Sequence, residues 1–93
     1  MKYVLIIHEV EDYQKWKHVF DNAAAIRKEA GEVSYQLLQY ENDANQIVHF
    51  SVWVSHENAK MFFESERLVQ IRKDAGVKAP QFIYLEKLEE AKL

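Results

Sequence analysis

The chain has 93 residues, of which 48% are hydrophobic and 29% charged, with two glycines, one proline, no cysteine and a net charge of −3. This suits one globular domain, because two would each lack a workable core, and it excludes a disordered chain, disulfides, thiolate catalysis and cysteine-ligated zinc. Basic residues are interleaved with acids, unlike the clustered cationic stripe of a nucleic-acid binder, so no nucleic-acid partner is expected.

Residues 2–10 are rich in Val, Ile and Tyr and predict a strand. Their apolar run, 4–7, is too short for a signal-peptide core or a membrane span, so no membrane partner is expected. Small secreted domains usually carry disulfides, and their exclusion here points to a cytoplasmic location. Asp12 is placed to cap a helix over 13–30, whose apolar stripe is Trp16, Val19, Phe20, Ala23, Ile26 and Ala30. Lys15, Lys17, Arg27 and Lys28 alternate with Glu11, Asp12, Asp21 and Glu29, the pattern of a solvated, salt-paired face. Arg27 and Lys28 also suit the C-terminal end of the helix dipole, and Gly31 the left-handed residue that ends the helix. A second strand follows over 33–41. Asn42-Asp43-Ala44-Asn45 has turn chemistry and predicts a hairpin into a third strand over 46–54. Ser55 can cap a second helix that carries Ala59, Phe62, Phe63, Leu68 and Ile71, with a break near Ser65 and a stop at Gly76. Pro80 marks the start of a last strand running to about 88, a place where proline is tolerated.

The chain repeats itself. Ile26-Arg27-Lys28-Glu29-Ala30-Gly31 recurs as Ile71-Arg72-Lys73-Asp74-Ala75-Gly76, an offset of 45 residues that also pairs Lys15 with Lys60, Gln36 with Gln81 and Glu41 with Glu86. Two copies are too few for a solenoid but suit a duplicated β-α-β unit, a ferredoxin-like β-α-β-β-α-β sheet with two helices on one face. The strands are apolar on both faces: Tyr3, Leu5 and Ile7 against Val4 and Ile6, Val48, Phe50 and Val52 against Ile47 and Trp53, Ile83 and Leu85 against Phe82 and Tyr84. Two helices cover one face only. The other predicts a homodimer, stacked sheet to sheet, because monomers rarely leave so large an apolar patch bare.

Tyr13-Gln14-Lys15-Trp16-Lys17, Val52-Trp53-Val54-Ser55, Ser65-Glu66-Arg67-Leu68 and the stretch 75–86 resemble the dimeric α+β-barrel superfamily, which includes the antibiotic-biosynthesis, quinol and haem-degrading monooxygenases and small cyclase-like proteins. The resemblance spans nearly the whole chain and implies a ferredoxin-like subunit that dimerises into a barrel. It departs from the family at two positions. Quinol-type members carry a helix histidine where this chain has Phe62. Haem-degrading members place a tryptophan and an iron-ligating histidine where this chain has Phe62 and Arg72, and arginine cannot ligate iron. Haem degradation is therefore not expected, and neither is any other cofactor.

His8 and His49 are candidate catalytic bases, able to move a proton at neutral pH, although hydrogen-bonded core positions account for them more simply. Strand parity leaves open whether they share a face, and a metal site would need a third ligand such as Glu9 or Glu86, so none is expected. Trp53, at the family's strand-tryptophan position, is a candidate pocket wall or an interface residue. Tyr35, Tyr84 and Phe62 are further candidates for substrate contact, and Arg27 and Arg72 for an anionic substrate, although the helix dipole already accounts for both arginines. His18 and His56 suit the surface. Two functions fit these residues: a cofactor-independent monooxygenase or cyclase acting on an aromatic or quinol-like substrate, or a non-catalytic homodimeric module that binds a small apolar ligand.

Overall fold

A computed structural model describes residues 2–93. The elements run β1 Lys2–Val10, α1 Tyr13–Asn22, α2 Ala24–Ala30, β2 Glu32–Tyr40, β3 Asp43–Trp53, α3 His56–Glu64, α4 Glu66–Asp74 and β4 Val77–Glu86. The four strands form one antiparallel sheet in the order β2-β3-β1-β4, the ferredoxin-like arrangement expected from the repeat. The two halves lock reciprocally at their glycines: the Val54 N–H donates to the Gly31 carbonyl at 3.0 Å and the Glu11 N–H to the Gly76 carbonyl at 3.1 Å. Gly31 has φ +121°, and a Cβ there would meet Val54 Cγ2 at 2.7 Å, so both conformation and space require glycine.

The two predicted caps form: the Asp12 side chain accepts from the Gln14 N–H and Ser55 from Asn58. Ser65, expected only as a break, also caps α4 by accepting from the Leu68 N–H. The Ser65 cap breaks the second helical segment where expected. The first segment is also broken, at Ala23, which the periodicity did not indicate because the apolar stripe continues through the break. The Phe20 carbonyl accepts there from the Ala23 N–H and from the Arg27 guanidinium, so the break supplies a buried arginine with an acceptor. The strands differ from expectation in boundaries and in two bulges. The hairpin turns at Glu41 and Asn42, and Asp43 already pairs with Tyr40 in β3. β4 starts at Val77, and Ala79 and Pro80 form a bulge opposite His8, with Ala79 at φ +41°. β2 carries a second bulge: Glu32 pairs with Trp53 and Ser34 with Val52, leaving Val33 as the extra residue.

The helices cover one face. Val4, Ile6, His8 and Val10 of β1 and Ile47, His49, Ser51 and Trp53 of β3 are all buried beneath them. This core has two clusters. One holds Val4, Ile6, Trp53, Ala59 and Phe63; the other holds Val10, Trp16, Phe20, Ile47 and Ala75. The two histidines stand between them in the strand sequence. The opposite face has no helix. It carries Tyr3, Leu5 and Ile7, then Val48, Phe50 and Val52, then Ile83 and Leu85, with Tyr3 stacked on Phe50 at 5.6 Å. Among the described residues no helix is long and apolar enough to cross a membrane.

Candidate active site

His8 and His49 share the helix-facing side of the sheet. In the β1–β3 register Ile6 pairs with His49 and His8 with Ile47, so the two histidines are diagonal neighbours on adjacent strands. His49 is packed edge-on against Phe20 at 5.0 Å and Tyr35 at 5.7 Å, and His8 lies 5.4 Å from the Trp16 ring.

A buried polar network orients His49. Its Nε2 lies 2.7 Å from Glu32 Oε2, and Arg27 Nε donates to Glu32 Oε1 at 2.7 Å. A carboxylate only accepts, so Nε2 is the donor in this bond and Nδ1 is the nitrogen left free of it. Arg27 also donates to the Phe20 carbonyl and stacks 3.7 Å above the Phe20 ring. Glu32 is on the helix-facing side because of the extra residue Val33; without that bulge the strand's alternation would turn its carboxylate to the open face. Burying charge is costly unless it is paired and hydrogen-bonded, and here the arginine and the carboxylate compensate each other.

His8 has a different environment. Its side chain is buried and its Nδ1 has no hydrogen-bond partner. Burial, followed by the proximity of His49 and Arg72, lowers its pKa to about 3. His8 is therefore neutral near pH 7 and can donate or accept a hydrogen bond.

Both histidines line a cavity of about 50 Å³ between sheet and helices. Trp16, Phe20, Phe62, Phe63, Leu68 and Ile71 make its apolar walls, and Arg27 and Arg72 reach it from α2 and α4. The space holds a few water molecules, so a larger ligand requires the helices to move. Phe62 and Leu68 also line the outer groove beside α2, which makes them the partition between cavity and surface.

Of the residues singled out from sequence, His8, His49, Phe62, Arg27 and Arg72 come together here. Trp53 does not border this cavity. It shares the helix-facing side but is enclosed at the far end of β3, where its Nε1 donates to Ser51 Oγ at 2.9 Å and its ring packs on Phe62 and Phe63. It faces neither the cavity nor the open face. Tyr35 lies on the edge strand, 45% exposed, and touches the site through its ring, against Phe20, His49 and the Arg27 guanidinium. Tyr84 packs against His56 and beneath Lys60, away from the cavity. His56 is half-buried, with Nε2 2.9 Å from the Leu85 carbonyl. The solvated-face expectation holds for the pair Lys17–Asp21 but fails for Arg27, which is 4% exposed. Glu32, Trp16 and Phe20 were not recognised as site residues. The available clue was an acid five residues after an arginine, across a helix-ending glycine. Among the described residues no group of three His, Asp or Glu side chains is placed to hold a metal ion.

The chain matches no protein-family model and no curated protein. Its fold is that of solved antibiotic-biosynthesis-monooxygenase-like structures. SnoaB, a cofactor-independent oxygenase from Streptomyces nogalater, superposes with a TM-score of 0.74 at 15% identity over 96% of this chain and 93% of that one. A putative antibiotic biosynthesis monooxygenase from Caulobacter crescentus gives 0.74 at 20% identity over 95% and 90%. A Streptomyces coelicolor monooxygenase solved with the ligand nanaomycin D gives 0.65 at 13% over 99% and 91%. The resemblance read from the strand and helix motifs therefore holds at the level of fold.

Proposed function

We propose that this protein is a homodimeric, cofactor-independent oxygenase that oxidises a hydroxylated aromatic or quinol-like substrate in the cavity beneath its helices. The observation that carries the proposal is the His49–Glu32 hydrogen bond on the wall of an apolar cavity. A carboxylate holding one imidazole nitrogen fixes the tautomer and stabilises the cation formed when the other nitrogen takes a proton. His49 Nδ1 is thus the base for a phenolic hydroxyl. Trp16, Phe20 and Phe63 exclude water from the electron-rich ring of the resulting oxyanion. The ionised ring reduces molecular oxygen: one oxygen atom enters the ring, the other leaves as water, and a quinone forms. The substrate supplies all four electrons, so no external reductant is consumed. The fold likeness to a cofactor-independent oxygenase supports this chemistry, and the bare apolar sheet face supports the dimer.

The second reading is a binding module without turnover, favoured by Phe62, which stands where quinol-type members carry a helix histidine. A panel of naphthols and hydroquinones separates the two, with calorimetry reporting binding and an oxygen electrode reporting turnover. The oxygenase binds and consumes oxygen, and loses uptake but keeps binding in His49→Gln. Binding with no uptake by the wild type selects the module.

A further inference from the structure

Arg27 and Arg72 occupy equivalent positions in the two halves of the chain, and both line the same cavity. Their electrostatic surroundings differ. Glu32 neutralises Arg27. Forty-five residues on, at the position equivalent to Glu32, the second half carries Val77, which also lines the cavity. Arg72 makes no ion pair among the described residues, and its Nη1 is buried without a partner. Among those residues only His8 Nδ1 shares that condition. The Arg72 guanidinium is backed by the Phe82 ring at 5.0 Å. Arg72 as a whole is half-buried, but the cavity wall still carries a positive charge without an ion-pair partner and two enclosed polar atoms without hydrogen-bond partners, a deficit that a bound anion removes.

We propose that the cavity takes its substrate as an aromatic carboxylate, whose carboxylate group is held by Arg72 and His8 and fills in the second half the place that Glu32 fills in the first. The inference rests on the hydroxyarene reading above and narrows it to hydroxy-aromatic acids. The carboxylate lies toward β4 and the last turn of α4, and the hydroxyl toward His49. The ring enters by displacing Phe62 and Leu68, the partition shared with the outer groove.

Calorimetry with 2-naphthoate and its uncharged isostere 2-naphthamide tests this without turnover. The wild type is expected to bind the carboxylate on the order of tenfold more tightly, the scale of one charge-assisted hydrogen-bonded pair. Arg72→Met should level the two affinities and Arg72→Lys should retain part of the preference. Val77→Glu should also level them, by supplying an internal carboxylate to Arg72. Equal affinities in the wild type overturn the proposal whether or not any variant folds, as does a preference that survives in folded Arg72→Met. Failure of both probes and of 2-naphthol to bind overturns the cavity assignment itself and this proposal with it. A carboxylate preference without oxygen uptake on hydroxynaphthoates upholds the anion site and refutes the oxygenase.

Discussion

The side chains of Glu32 and His49 meet at 2.7 Å where both are almost wholly enclosed, and the same carboxylate holds Arg27 on its other oxygen. One acid thus compensates a buried cation and orients an imidazole. Glu32→Gln keeps the shape and removes the charge, leaving Arg27 uncompensated. Breaking a buried pair by removing one partner typically costs about 3–5 kcal/mol. Urea unfolding should show a loss of that order, and oxygen uptake should fall even at temperatures where the variant stays folded. A variant as stable as the wild type would mean that Arg27 finds its compensation elsewhere.

His8 makes stability depend on pH in a defined window. Its pKa is about 3 in the folded protein and 6.5 in the unfolded chain. Between these values the unfolded chain binds the extra proton, so stability is full above about pH 6.5 and declines as pH falls toward 3. The slope is about 1.4 kcal/mol per pH unit for one proton. Carboxylates contribute in the same direction, so the comparison is with His8→Gln. The difference between the two unfolding free energies should change across this window and be constant above it. Parallel curves would show that His8 is not responsible.

The open sheet face should carry the dimer. Phe50 lies at its centre on β3, stacked with Tyr3. Light scattering of the wild type at micromolar concentration should give twice 11.0 kDa. Phe50→Glu places a charge on that face and should give a folded protein of 11.0 kDa. Trp53→Phe, altered on the other side of the sheet, should remain dimeric. A monomeric wild type would contradict the barrel.

The fold was largely legible because its cues are local or repeated: the duplicated hexapeptide set the topology, and Asp12 and Ser55 capped the helices they precede. The site was less legible because it depends on register. Alternation within β1 or β3 places His8 with Val4 and His49 with Trp53, but only pairing Ile6 with His49 puts both histidines on one face. Trp53 has the matching parity and still misses the cavity, since it lies at the other end of the sheet. Glu32 was hidden by the bulge at Val33, which reverses its side. Arg27 was named as a candidate for an anionic substrate, but its burial was hidden, because it stands where the helix dipole alone explains a solvated cation. It turns inward because a break at Ala23 and an acid on the next strand provide its partners.

The most direct test of the central claim is oxygen consumption in single turnovers without added cofactor or reductant, comparing the wild type with His49→Gln on a hydroxynaphthalene that both bind. The wild type should consume one oxygen molecule per quinone formed, and His49→Gln should be slower by roughly 10²–10⁴-fold, the usual contribution of a positioned base. Uptake no faster than the protein-free blank, or an unchanged rate in folded His49→Gln, would contradict the account.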